Sequence, residues 1–404
     1  MIGGANLPEH SPLGASGAPR WMKCPGSVTW SNGIQDSESD FAAEGTDAHS
    51  LGEICLTADH DAWELIGVEG ISREGQAALT KEMADAVQVY LDAIRQWHPD
   101  RNQGNFWIER RFHCPTLHSL FFGKSDATAY DEALRTLDVW DYKHGAGIIV
   151  EPSSPQLKYY AIGMLEDLGL WQKVDVVRLH IVQPRAFHRD GEHRIASITT
   201  DELWAWAETE LFPAMMRAEV SRDTVSGEHC RFCPARSRAC PQIMSDMDEL
   251  EEIVELIQGK GAAALSNEEV GRFLDLLDLA KIVGKAAEET AYARLMAGIK
   301  VPGRKLGKGK SDREWKEQFE INGVTVIVEN EIKAKFGKLA YTEPKLKSPA
   351  QIEKLPEGEA IVARFAFKPE AGLRVIKEGD ARPAVNRDTK SMFTPVTKKG
   401  KVNG

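Results

Sequence analysis

Gly123-Lys124-Ser125-Asp126, followed after a turn by Asp138-Val139-Trp140-Asp141-Tyr142-Lys143, is the stretch on which the reading of this chain depends. The runs Phe106 to Phe112, Leu120 to Tyr130 and Leu134 to Tyr142 are short, rich in aromatic and β-branched residues and separated by turn-like segments. That pattern predicts an antiparallel three-strand meander. Neighbouring strands bring Asp126 and Asp141 close enough to share one divalent cation. A period of two puts Lys143 on the same side of its strand as Asp141, with Trp140 and Tyr142 opposite. Hard oxygen ligands, a metal-activated water and a nearby ammonium are what phosphodiester hydrolysis requires. A surface hairpin with an Asp/Lys pair would present the same three residues, so the flanking elements decide between the two.

Upstream, the pattern turns helical from Thr46, with His49, Glu53 and Leu56 on one stripe, and again over Thr80 to Trp97, where Met83, Val87, Tyr90, Leu91 and Ile94 recur at helical spacing. Downstream, Pro155 opens a helix in which Gln156 and Tyr160, four residues apart, share a face. Val174 to Val182 reads as a further strand, and residues 201 to 219 as a helix that Pro213 kinks or ends. Helix, meander, helix and strand make an α/β core.

Four motifs thus stand in order: Glu44-Gly45-Thr46-Asp47-Ala48-His49, Gly123-x-x-Asp126, Asp141-x-Lys143 and Gln156-Leu157-Lys158-Tyr159-Tyr160. Their order resembles the RecB-like branch of the PD-(D/E)XK nuclease superfamily, and the whole arrangement looks like a bacteriophage exonuclease family of that branch. The resemblance implies a restriction-endonuclease-like core, a central mixed sheet flanked by helices. It implies His49, Asp126 and Asp141 as ligands of Mg2+ or Mn2+, Lys143 as the catalytic lysine, and Gln156 and Tyr160 as residues of a helix lining the DNA side. The implied activity is metal-dependent DNA exonuclease action in phage recombination or replication. DNA is the implied partner, alongside a phage single-strand-binding or recombination protein. The alternative is a non-catalytic DNA-binding or assembly protein that keeps the fold. No G-x-x-x-x-G-K-[ST] phosphate loop is present, so any unwinding belongs to a partner.

Of six cysteines, three cluster as Cys230-x2-Cys233-x6-Cys240. That is one thiolate short of a four-thiolate site. Cys24, in a Cys-Pro-Gly-Ser turn, is the best candidate for the fourth ligand; Cys55 and Cys114 read as buried free thiols. One distant cysteine plus three clustered ones resembles the iron-sulfur RecB-like nucleases, among them AddB and the CRISPR-associated exonucleases. This implies that Cys24, Cys230, Cys233 and Cys240 hold a [4Fe-4S] cluster that staples the domain ends, although the spacing of six departs from the five of that pattern. Zinc is the alternative occupant of four thiolates.

The expected organisation is a flexible leader over 1–20, a nuclease domain over 21–245, a helical linker region over 246–300 and a basic α+β domain over 301–404. In that plan a capping-box helix starts at Ser266, a Gly/Lys linker spans Gly303 to Lys310, and Ile321 to Val328 and Ile361 to Phe367 are strands. The net charge of −11 argues against a globally basic nucleic-acid binder, but it is uneven. Residues 300–404 carry 23 Lys and Arg against 14 Asp and Glu, net +9, which leaves −20 on residues 1–299. No run approaches the roughly 18 apolar residues of a membrane span, and the N-terminus lacks a charged start and apolar core. A cytoplasmic location is expected, in the bacterial host for a phage protein.

Overall fold

The structure is a computed structural model. It describes residues 10–34, 40–68, 79–99, 104–238, 240–308, 314–316, 318–321, 324–342, 345–367, 373–377 and 383–385. The chain divides into two compact units, Met1–Val283 and Gly284–Gly404.

The first unit is built on a five-stranded mixed sheet of β1 (Phe106–His113), β2 (Phe122–Asp131), β3 (Thr136–Tyr142), β4 (Val176–Val182) and β5 (His193–Thr199), in that spatial order. The first three strands form the antiparallel meander, with Ile108 opposite Ala127 and Ala127 opposite Trp140. β4 then pairs parallel to β3, and β5 antiparallel to β4. A parallel neighbour needs a crossover, and the helix Pro155–Asp167 supplies it. Fifth-strand residues 193–199 were not foreseen; their alternation of buried and open positions is that of an edge strand.

The period of two divides the sheet's side chains between two cores. Leu137 and Val139 join Leu157, Tyr159, Ile162 and Met164 of the crossover helix on one face. Ala127, Trp140 and Tyr142 join the helices α1 (Asp40–Ala58) and α2 (Lys81–Trp97) on the other. The crossover helix, α3, lies hard against β1, because a Cβ at Gly163 would come within 2.3 Å of the Phe112 ring. Residues 200–220 run as helix Thr200–Trp206, a π turn Ala207–Leu211 and helix Phe212–Val220. The irregular turn stands directly before Pro213, which has no N–H to continue the regular ladder.

The leader expected over 1–20 is corrected from residue 10 onward. Leu13, Ala15, Ala18 and Trp21 are buried in the α3-side core, and the Ser11 hydroxyl donates to the Leu120 carbonyl at 2.6 Å. Residues 1–9 lie outside the described residues. The first unit also continues past 245, since Ile243 of helix Pro241–Lys260 and Leu279 of helix Asn267–Met296 pack on Cys230 and Cys240. Arg272 ties the two helices together through Asp246 and Glu249. The capping box is as expected, with the Glu269 N–H donating to the Ser266 hydroxyl and the Ser266 N–H to the Glu269 carboxylate.

The second unit consists of short antiparallel pairs and helices around Val328, Ile332, Ile352, Val362 and Phe365. Three expectations are overturned here. Ile321 to Val328 is not one strand, since Ile321 ends the strand Gln318–Ile321, Val324–Ile327 pairs back on it, and Val328 opens a helix. Arg304–Lys308, inside the supposed linker, is a strand paired with Leu373–Lys377. Gly358–Phe365 is a helix, so only Ala366–Phe367 of the expected strand 361–367 is extended. Buried Gly358, Val362 and Phe365 repeat at helical spacing, which a short apolar run does not distinguish from a strand by composition alone.

Candidate functional site

The β1–β3 register assembles a row of carboxylates. Ile108 opposite Ala127 and Arg110 opposite Ser125 bracket Glu109 against Asp126, and Ala127 opposite Trp140 sets Asp126 one step on against Asp141. Like charges directly opposite on adjacent strands are destabilising, so packing alone gives no reason for such a row. Glu109 also has a left-handed backbone (φ +47°) within its strand. A residue with a Cβ there costs about 1–3 kcal/mol.

His49 on α1 reaches the row from outside the sheet. Its Nδ1 lies 3.4 Å from Asp126 Oδ2, and its ring meets the Tyr142 ring edge-on. The same Asp126 oxygen accepts from the Tyr142 backbone N–H at 2.9 Å. One ligand atom each from His49, Glu109 and Asp126 lie within 4.8 Å of one another, a spacing that suits a shared cation. Asp141 is not in that trio. Its Oδ1 accepts from Lys143 Nζ and Gln156 Nε2, both at 3.1 Å. Its Oδ2 is 2.8 Å from Lys143 Nζ but buried without a well-aligned hydrogen bond. Lys143 in turn donates to Gln156 Oε1 at 3.0 Å, and Gln156 Nε2 donates to the Tyr160 hydroxyl at 3.1 Å. The residues singled out from the sequence therefore meet: His49 with Asp126, and Asp141 with Lys143, Gln156 and Tyr160.

Glu109 is the residue that sequence reasoning missed. Its signal was positional, a lone carboxylate in an otherwise aromatic and cationic strand run, and it needs the turn length before Phe122 to be placed opposite Asp126. Glu109 also pairs with Lys124.

Electrostatically the row is short of positive charge. Burial pushes the Asp141 carboxyl up to about 6, with Lys143 opposing and Asp126 adding to the rise. Burial raises Asp126 despite Lys143 and the Tyr142 N–H, and burial then Asp126 raise Glu109. Burial, followed by the Lys143 charge, lowers His49 and keeps its ring neutral with a lone pair to offer. Burial holds the Tyr160 phenol protonated. A bound divalent cation would reverse the carboxylate shifts. The oxygen and imidazole donors, and the poorly satisfied Asp141 oxygen, fit such an ion.

A family model described as a protein of unknown function, DUF2800, matches residues 10–383. The chain belongs to the DUF2800 family.

The matched span of this DUF2800 chain includes a second group, the thiols. All six cysteines are free and buried. Cys24 is carried to the 230–240 segment by a backbone clasp. The Gly26 N–H donates to the Asp223 carbonyl at 2.8 Å, Thr29 Oγ1 to Ser221 and Trp30 Nε1 to Arg222. The approach is so close that a Cβ on Gly26 would meet Asp223 O at 2.5 Å. Cys24 Sγ accepts from the Val225 N–H at 3.3 Å, and Cys233 Sγ lies 3.8 Å from the Ser31 hydroxyl. Burial raises Cys24, with the fields of Cys233 and Cys240 adding to the rise. Burial raises Cys230 to about 11, with Cys233, Cys24 and Cys240 contributing. Cys24 and Cys230 of this DUF2800 protein thus each sense the charges of Cys233 and Cys240, and a cationic centre would be needed to make Cys24 and Cys230 thiolates at neutral pH. Cys55 and Cys114 stand apart, held protonated by burial at about 11 and about 12. Among the described residues no helix is long and apolar enough to cross a membrane.

Proposed function

We propose that the chain is a divalent-metal-dependent DNA nuclease with a PD-(D/E)XK-type core, acting as an exonuclease in phage DNA recombination or replication. The observation that carries the chemistry is the convergence of five separated segments on the middle of β2 and the end of β3: His49, Glu109 and Asp126 around one point, and Lys143 clamped between Asp141 and Gln156. The exonuclease mode and the phage setting rest on the resemblance of the motifs alone.

In this reading His49, Asp126 and Asp141 hold Mg2+ or Mn2+, with Glu109 as an added oxygen donor. When bound, the ion activates water and polarises the phosphate. Lys143, fixed by two acceptors, presents an ammonium to charge that develops on the phosphodiester. Gln156 orients Lys143 and Asp141 at once, and the protonated Tyr160 anchors Gln156. Cys24, Cys230, Cys233 and Cys240 hold a [4Fe-4S] cluster, with Zn2+ the alternative, and so fasten residues 24–31 to 221–240.

The test is incubation of the purified chain with end-labelled linear single- and double-stranded DNA in Mg2+, Mn2+ or EDTA, beside Asp141→Ala. Cleavage with metal, abolished by EDTA and by the substitution, is expected. Equal cleavage by the variant overturns the assignment, and DNA binding without cleavage by the wild type favours a non-catalytic assembly role. Anaerobic purification is expected to give a brown protein with iron and sulfide, and Cys24→Ala to lose both chromophore and stability. A colourless protein with one zinc replaces the cluster but keeps the fastening.

A further inference from the structure

The β4–β5 loop, residues 183–192, leaves the sheet beside Lys143, whose backbone N–H donates to the Val182 carbonyl at 2.9 Å. Its base is pinned. Buried Gln183 donates through Nε2 to the Gly145 and Ile148 carbonyls at 3.0 and 2.7 Å, in the segment that follows Lys143. Its Oε1 accepts from the Val150 N–H and from Arg194 Nη2. The Gln183 N–H closes the neck onto the Glu192 carbonyl, and the Gly191 N–H bonds back to His188. Arg185 reaches across to Glu44 at 3.0 Å, on the helix that carries His49.

On this anchored loop Ala186 is buried and the next residue, Phe187, is 92% exposed. The Arg189 side chain is 87% exposed, with only a loose 3.6 Å pairing to Asp190. Single exposed apolar residues are common and need no explanation. This one differs in its setting. It lies five residues along the chain from Val182, so at most about 18 Å from Val182 at 3.3–3.6 Å per residue, and about 23 Å from the Lys143 backbone across one strand spacing of about 5 Å. Arginines stand two residues away on either side. An exposed ring on an anchored loop, with the exposed Arg189 guanidinium two residues further on, is the combination that takes an unpaired nucleotide, the base on the ring and the phosphate on the cation.

The geometry points to Phe187 as a stacking platform for an unpaired base of a DNA strand whose phosphodiester lies at the carboxylate row, with Arg189 meeting a neighbouring phosphate. The inference rests on the nuclease reading and narrows its substrate to strands with unpaired nucleotides near the cut. At about 3.4 Å per nucleotide the stacked base lies within roughly seven nucleotides of the scissile bond.

The test uses the full-length, cluster-loaded chain in Mg2+ with a phosphorothioate single strand containing 2-aminopurine and with a blunt duplex of the same sequence. Phe187→Ala is expected to weaken single-strand binding about 5- to 100-fold and to abolish the 2-aminopurine quenching. Phe187→Trp is expected to preserve both. Melting curves of both variants should match the wild type, since the ring has almost no packing to lose. Single-strand binding by Phe187→Ala equal to wild type, or equal loss in Phe187→Trp, overturns the stacking role while cleavage by the wild type leaves the nuclease reading standing. A wild type that neither binds nor cuts DNA removes both.

Discussion

Asp138 and Asp141 sit three residues apart on β3 and so face opposite sides of the sheet. Asp138 is saturated. Arg178 grips both its oxygens, His180 Nε2 lies 2.8 Å from Oδ1 and His98 Nε2 3.0 Å from Oδ2. Trp140, His180 and His193 stack beside it. Burial would raise its carboxyl, but the donors from His180, His98 and Arg178 together hold it well below the ordinary range. Asp141, equally buried, has one ammonium and one amide, a carboxylate opposite it on β2, and a carboxyl raised to about 6. One carboxylate is finished by the fold and the other is left for something outside it. Burial and residue type are the same, so what separates a structural acid from a candidate ligand is its supply of donors.

The comparison breaks or sharpens in four ways. Asp141→Ala should lower metal-dependent cleavage by about a thousandfold or more while leaving the melting temperature unchanged or higher. A destabilised Asp141→Ala would mean that this carboxylate is structural after all. Asp138→Ala strands Arg178 and should destabilise the first unit by about 3–5 kcal/mol in urea titration. Unaltered stability there would erase the contrast.

The third test is pH. Asp141 has a folded value above its unfolded one, so its contribution is full below about pH 4 and is lost as pH rises through about 6. The depressed Asp138 works oppositely: its contribution is present above its ordinary value and lost as pH falls through the lower folded value. Other groups titrate nearby, His193 among them, pushed down to about 4 by burial and then by His180. The measurement is therefore a difference. In EDTA, Asp141→Asn should gain up to about 2–3 kcal/mol on wild type between pH 4 and 6. A parallel pair of curves would show that Asp141 carries no such penalty. The smallest effect is expected of Glu109→Gln, about tenfold weaker Mn2+ affinity by calorimetry, and unchanged affinity would leave Glu109 merely Lys124's partner.

Much of this was legible in the sequence. The three-strand meander, the helix opened by Pro155 and β4 follow from local period and turn residues, and those elements alone bring Asp126, Asp141, Lys143 and Gln156 together. Glu109 was not legible, because its position depends on hairpin register and a left-handed backbone that no neighbouring residue announces. The Asp138 cluster stayed hidden for a related reason: His98, Arg178 and His180 come from α2's end and from β4, and only the parallel pairing sets Asp138 opposite Arg178. Residues 361–367 failed differently, since a short apolar run fits either period until its buried side is known.

The clasp at Gly26 bears on how this chain is made. Its bonds join residues 192 to 201 positions apart, Thr29 to Ser221 and Cys24 to Val225. During synthesis at about 5–20 residues per second, the N-terminal turn waits some 10–40 seconds for its partner to emerge. The meander and its helices are complete well before that. Any group seated on Cys24 together with Cys230, Cys233 and Cys240 must then be delivered late, to a nascent protein whose sheet is already closed.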